Sequence, residues 1–122
     1  MKTWSAELLE MMGNCTEVGI ATERVDGSSR ASLPIWVIRV GDELFVRSYR
    51  GTVGGWYRHI MHHPYARITA QGTDQRVHLI PADSSTRAAV DDAYRNKYGH
   101  SGPAAAMVGD TAAHTTMRIT PA

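Results

Sequence analysis

"RASLPIWVIRV", Arg30 to Val40, is the stretch on which the fold turns. Strand alternation puts Leu33, Ile35 and Val37 on one face and Pro34, Trp36 and Ile38 on the other. Both faces are apolar. A sheet with one wet face carries polar residues at every second position, so this strand is covered on both sides. One face can fill a barrel; the other needs a helix or a second subunit. Pro34 has no N–H to give to a ladder and marks a bulge or bend. The turn signals "DGSS" (26–29) and "GDE" (41–43) flank the stretch, with strand-like "CTEVGIATERV" before it and "LFVRSY" after it. Three strands joined by short turns make an antiparallel meander.

Working outward, "SAELLEMMGN" reads as a helix capped by Ser5 and stopped near Gly13–Asn14. "GWYRHIMHH" reads as a central helix ended by Pro64. "YARITAQG" and "QRVHLIPA" form a strand pair across "GTD". "SSTRAAVDDAYRNKY" is a further helix with Gly99 at its end. "SGPAAAMVGD" is loop-like, and "HTTMRIT" is a closing strand. The expectation is a mainly β, α+β fold: a six-stranded barrel with a central helix and one further helix, in one domain over residues 1–122.

The net charge is +1, and Lys2 and Lys97 are the two lysines, so nothing drives the whole chain toward nucleic acid. Cys15 is the single cysteine, which rules out an internal disulfide framework and fits a buried side chain. Glu7 and Glu10 interrupt any apolar leader, and no apolar run spans a bilayer; a cytoplasmic location is expected.

Chemistry concentrates in "FVRSYRGTVGGWYRHIMHHP", Phe45 to Pro64. Arg47, Arg50 and Arg58 stand there with no Asp or Glu between Glu43 and Asp74. Without a longer basic stripe, this local positive field suits a small anion better than a duplex. Arg47, Ser48, Arg50 and Gly51 can form a phosphate cradle of guanidinium, hydroxyl and free backbone N–H groups. The alternative is a pair of strand arginines facing solvent or pairing with Asp42 and Glu43. Arg47 and Arg50 are three apart, so they converge only if the chain turns between them. Trp56 and Tyr57 open the central helix, whose first N–H groups favour an anion. Trp56 also falls on a core-facing stripe with Ile60. His59, His62 and His63 resemble metal ligands in spacing only; surface histidines fit better, and no metal site is expected. His59 and Tyr57 are the candidate proton donors. Tyr94 and Tyr98 read as packing residues.

The ordered set Gly27, Arg30, Pro34, Ile35 and Trp36, then Ser48, Tyr49, Arg50 and Gly51, then Trp56, Tyr57 and Pro64, resembles the split β-barrel flavin-binding proteins. These include the pyridoxamine-phosphate-oxidase-like and the deazaflavin-dependent nitroreductase-like proteins. The match is closest to a small family of short, uncharacterised bacterial proteins with this fold. The resemblance covers roughly residues 15 to 100. It implies a homodimer with flavin mononucleotide or a deazaflavin coenzyme at the interface, its phosphate near Ser48–Gly51 and its ring near Pro34 and Trp36. The function expected from it is a small oxidoreductase. Pro34, Trp36, Arg47, Ser48, Arg50, Gly51 and Tyr57 would bind the cofactor; Tyr57 and His59 would be catalytic. The spacer "TVGG" (52–55) carries no base where many such proteins have one. A cofactor-free protein that binds a small anionic planar ligand, or an acid–base cyclase or isomerase using the same cleft, is therefore the alternative.

Overall fold

The computed structural model describes residues 3–122. Among them are seven strands: β1 (Val18–Thr22), β2 (Leu33–Ile35), β3 (Ile38–Val40), β4 (Glu43–Val46), β5 (Tyr65–Ala70), β6 (Thr73–Pro81) and β7 (Met117–Pro121). The α-helices are α1 (Ala6–Asn14), α2 (Gly55–His62), α3 (Arg87–Tyr98), α4 (Pro103–Met107) and α5 (Asp110–Ala113). Local chemistry sets several ends. Ser5 caps α1, its Oγ accepting from the Leu8 N–H at 3.2 Å. Gln71 and Gly72 both adopt positive φ, as a two-residue hairpin between β5 and β6 requires.

The sheet is antiparallel with order β2-β1-β5-β6-β7-β4-β3. Its two edge strands are consecutive in sequence, with Trp36 and Val37 alone between them. Two residues between strand ends leave a gap of about 10 Å at most. The two edges must therefore lie side by side, and the sheet curls into an open barrel. This is why the count is seven rather than six. The single strand expected over "RASLPIWVIRV" is cut in two where it leaves one edge and joins the other. The cut falls after Pro34, not at it. Pro34 stays paired opposite Gly19, and the edge position of β2 tolerates its missing N–H.

The barrel interior holds Ile20, Ile35, Val37, Leu44, Ile68, Leu79 and Ile119; Leu9 and Met12 of α1 and Ile60 of α2 pack onto it. Each such side chain contributes about 1.5–3 kcal/mol by leaving water. The other side of β3 and β4 carries Ile38 and Phe45, which pack with Val90 and Tyr94 of α3, Met107 of α4 and Ala112 of α5. Trp36 joins this second cluster. The second apolar face therefore finds most of its cover within the chain, while Leu33 and Pro34 remain exposed. The segment expected to be a loop, "SGPAAAMVGD", forms α4 and starts α5. Pro103 at the first turn and the alanines after it are good helix-starting chemistry. No helix among the described residues is long and apolar enough to cross a membrane.

Candidate functional site

A cavity of about 370 Å³ opens beside the bend that follows β2. Its walls are Pro34 and Trp36 from that bend, Tyr49 after β4, Trp56 at the start of α2, Met107 from α4, and Arg47. Four separate elements meet there, and the aromatic rings give it a largely apolar wall.

Trp36 is held flat. Its ring stacks on Tyr98 with centroids 3.9 Å apart and planes 5° from parallel. The Tyr98 hydroxyl donates to the Thr16 carbonyl at 2.7 Å. Lys97 donates to the Val37 carbonyl at 2.6 Å and the Met12 carbonyl at 3.0 Å, tying α3 to the bend and to α1. Burial holds the Lys97 amine below its ordinary pKa and the Tyr98 phenol above its own.

Arg47 is buried at 2 % exposure. Its Nε donates to Thr116 Oγ1 at 2.8 Å, and its Nη1 donates to Asp91 at 2.5 Å and to the Met107 carbonyl at 2.8 Å. Its Nη2 is buried without a hydrogen-bond partner. A buried donor without a partner costs about 1–3 kcal/mol, and the Arg47 side chain is 0% exposed. The Tyr94 hydroxyl is likewise unpartnered; burial pushes its pKa up, and the Arg47 guanidinium lies 5.4 Å from its ring centre. Asp91 also faces Arg87 at 3.5 Å, and Arg87 meets Asp110 at 2.8 Å.

The structure thus brings Pro34, Trp36 and Arg47 together, with Trp56 beside them. The remaining candidates lie outside this lining. Ser48 is buried, and its N–H donates to Thr115 Oγ1 at 2.8 Å. The Gly51 N–H donates to the Ser48 carbonyl at 2.9 Å, and the Gly54 N–H to the Gly51 carbonyl at 3.1 Å. The Ser48, Gly51 and Gly54 N–H groups are therefore engaged within the fold. Arg50 precedes the 3-10 turn Gly51–Val53; it is exposed and makes no hydrogen bond or ion pair with the described residues. Arg58 is exposed in the same way. Tyr57 packs edge-on to Trp56 at 6.3 Å, against the core. Burial, then Arg30, Arg58, His62 and Arg24, hold the His59 imidazole below its ordinary pKa, so it is neutral at neutral pH. Among the described residues no three His, Cys, Asp or Glu side chains are grouped to hold a metal. His63 instead meets Glu23 at 2.8 Å.

Tyr49 and Met107 line the cavity without having been named as site residues from the sequence. Met107 was hidden by the loop reading of its segment; Tyr49 entered only as part of the Ser48–Gly51 motif. The pairing of Arg47 with Asp91 joins residues 44 positions apart, and no local pattern encodes it.

The lining fits the planar part of a flavin-type group: mostly apolar and aromatic walls, with Glu17 and Tyr49 as polar neighbours. It offers no second cation for a phosphate; Arg50 and Arg58 are free for that outside the lining.

A family model described as an uncharacterized protein conserved in bacteria (DUF2255) matches residues 8–119. No curated protein matches the sequence. The fold is similar to that of the heme storage protein HutZ from Vibrio cholerae, at TM-score 0.64 and 14% identity over 100% of this chain and 92% of that one. It is similar to an F420 reductase at 0.58 and 16%, covering 93% of this chain and 91% of that one. A FAD and heme binding protein from Mycobacterium smegmatis matches at 0.60 and 18%, over 98% of this chain and 66% of that one. At such identities the likeness establishes a shared split-barrel fold.

Proposed function

The chain belongs to the DUF2255 family of uncharacterized proteins conserved in bacteria, and we propose that it is a small oxidoreductase seating a flavin-type cofactor, flavin mononucleotide or a deazaflavin coenzyme, in the Trp36–Arg47 cavity at a homodimer interface. One observation carries this: a cavity of about 370 Å³ lined by Pro34, Trp36, Tyr49 and Trp56 offers flat apolar walls of the size a planar ring needs. The fold shared with an F420 reductase and a FAD and heme binding protein supports it. The lining contains no histidine or cysteine, and an iron porphyrin would find only the Met107 thioether and the Tyr49 phenol there; the flat apolar walls favour a flavin-type ring.

The cofactor supplies the hydride chemistry. The chain's own residues bind and orient. Trp36 and Trp56 offer ring faces that exclude water, and Arg47 braces the wall behind them through Thr116, Asp91 and the Met107 carbonyl. Arg50, next in the chain to the cavity's Tyr49, is a free cation for a phosphate. Tyr57 or His59 would supply a proton from outside the lining. Leu33, Pro34 and Tyr49 leave an exposed apolar rim suited to a second copy that closes the cleft.

The cofactor-free alternative draws on a separate observation: the Ser48, Gly51 and Gly54 N–H groups are engaged and the Thr52–Gly55 spacer has no base. Absorbance titration of the purified protein with flavin mononucleotide and with the deazaflavin coenzyme separates the two. A saturable spectral shift with either is expected; no shift with both leaves the cofactor-free binder.

A further inference from the structure

We propose that the cavity selects the ring it takes by charge, through Glu17: flat aromatic cations are favoured and flat anions are turned away. As the charge class of a substrate this rests on the oxidoreductase reading; the preference itself needs no bound cofactor.

The pairing of β1 with β2 sets the direction of Glu17. Val18 lies opposite Ile35, and both side chains are buried in the barrel interior. Side chains alternate along a strand, and residues opposite each other across a ladder share a face. Glu17 and Trp36 flank that pair, so both turn to the outer face, where Pro34 also stands. All three line the cavity. The Tyr98 hydroxyl bonds at 2.7 Å to the carbonyl of Thr16, the residue before Glu17, and the Tyr98 ring is the one stacked on Trp36. Burial above all, and then the Cys15 and Glu17 charges, push the Tyr98 phenol up, so Glu17 is within electrostatic reach of that stack.

Among the described residues of the lining, Glu17 and Arg47 are the charged ones. The Arg47 side chain is 0% exposed and meets Asp91, so its charge is matched behind the wall. Glu17 is exposed, and its carboxylate makes no hydrogen bond or ion pair with the described residues. The unbalanced charge at the cavity is therefore negative. The walls act in the same sense, because the faces of Trp36, Tyr49 and Trp56 carry the negative end of the ring quadrupole and attract cations. An anion would meet the ring faces and Glu17 with the same sign. The demand for a flat partner comes from Trp36, held against Tyr98 with planes 5° from parallel.

Three ligands on one tricyclic frame test this on the full chain: N-methylacridinium, a cation; acridine, kept uncharged by the buffer pH; and acridine carboxylate, an anion. Quenching of tryptophan fluorescence reports binding, since Trp36 and Trp56 line the cavity. The cation is expected to bind about fivefold tighter than the neutral ring, or more, and the anion weaker than either. Glu17→Gln, at an exposed position, should draw the cation and the anion together and leave acridine unchanged; Glu17→Lys should reverse their order. An anion that binds the wild type as well as the cation does overturns the inference, and so does a cation-to-anion ratio that Glu17→Gln leaves unchanged. If none of the three binds, the inference falls, while the flavin titrations still decide the cofactor reading. If the three bind in the expected order and neither flavin mononucleotide nor the deazaflavin coenzyme binds, the cofactor reading fails and the charge preference stands.

Discussion

Glu23 shows how one side chain can join three elements. Arg76 grips both of its oxygens, at 3.0 and 2.9 Å, and His63 approaches at 2.8 Å. The end of β1 is thereby tied to β6 and to the residue that follows α2. The Arg76 bonds first, and His63 second, lower the Glu23 pKa from its ordinary 4.5 to about 2. A carboxyl held low in the folded state stabilises fully above its unfolded value, and that contribution is lost as pH falls from about 4.5 toward 2. Glu23→Gln should therefore melt below the wild type at neutral pH, with the gap closing in acid over that window. Thermal melts of both proteins across pH check it; a gap independent of pH would mean that charge on Glu23 does not matter. Arg47 and Arg50 show the other side of the residue scale. Both follow the end of β4 at Val46; Arg47 is buried, whereas Arg50, in the turn beyond Ser48, is exposed.

Gly51 belongs to the scale of elements, because its backbone is where the turn after β4 touches α5. Its φ is +68°, and a Cβ there would lie 2.6 Å from Thr111 Cγ2 and 3.0 Å from the Thr111 carbonyl oxygen. A left-handed conformation costs an L residue about 1–2 kcal/mol, and the approach to a backbone oxygen adds to it. Gly51→Ala should destabilise by about 2 kcal/mol or more, whereas Arg50→Ala, one residue earlier and exposed, should leave the denaturation midpoint unchanged. Chemical denaturation of the two variants decides. A stable Gly51→Ala that has lost only ligand affinity would return this glycine to the binding site. The bend at Trp36–Val37 also lives at this scale. Two apolar faces in one strand encoded double burial. They did not encode that the strand would divide between two edges of one sheet.

At the scale of the whole molecule, the exposed apolar residues bear on assembly. Leu33 is 48% exposed and Tyr49 57%, and both line the cavity. Trp36 and Ile38 are covered by α3 and α4, so this rim, rather than the whole second face of the strand, is what a partner copy would cover. The protein is expected to sediment as a dimer at micromolar concentration. Leu33→Lys, at an exposed position, should split the dimer without unfolding the chain and should weaken flavin binding in proportion. A wild-type monomer that binds flavin fully would remove the interface from the site.

The sequence by itself determined the elements whose cause is local. Ser5 caps a helix through its own hydroxyl, Gly72 supplies the positive φ of a hairpin, and alternation along "LPIWVI" demands cover on both sides. The ordered residues from Gly27 to Tyr57 were enough to indicate the split barrel, and Pro34 and Trp36 were legible as cavity residues. Only the tertiary structure decided what depends on distant partners. The edge-to-edge crossing at Trp36–Val37 needs β7 seated between β6 and β4, a pairing across most of the chain. The stack of Trp36 on Tyr98 and the pairing of Arg47 with Asp91 likewise join segments that share no local pattern. Arg47 could be read from the chain as a cation, but its matched charge and its unpartnered Nη2 exist only once α3, α4 and the stretch before β7 have closed around it. Local propensity acts over a few residues, whereas the desolvation that gives a buried side chain its chemistry is a property of everything packed against it.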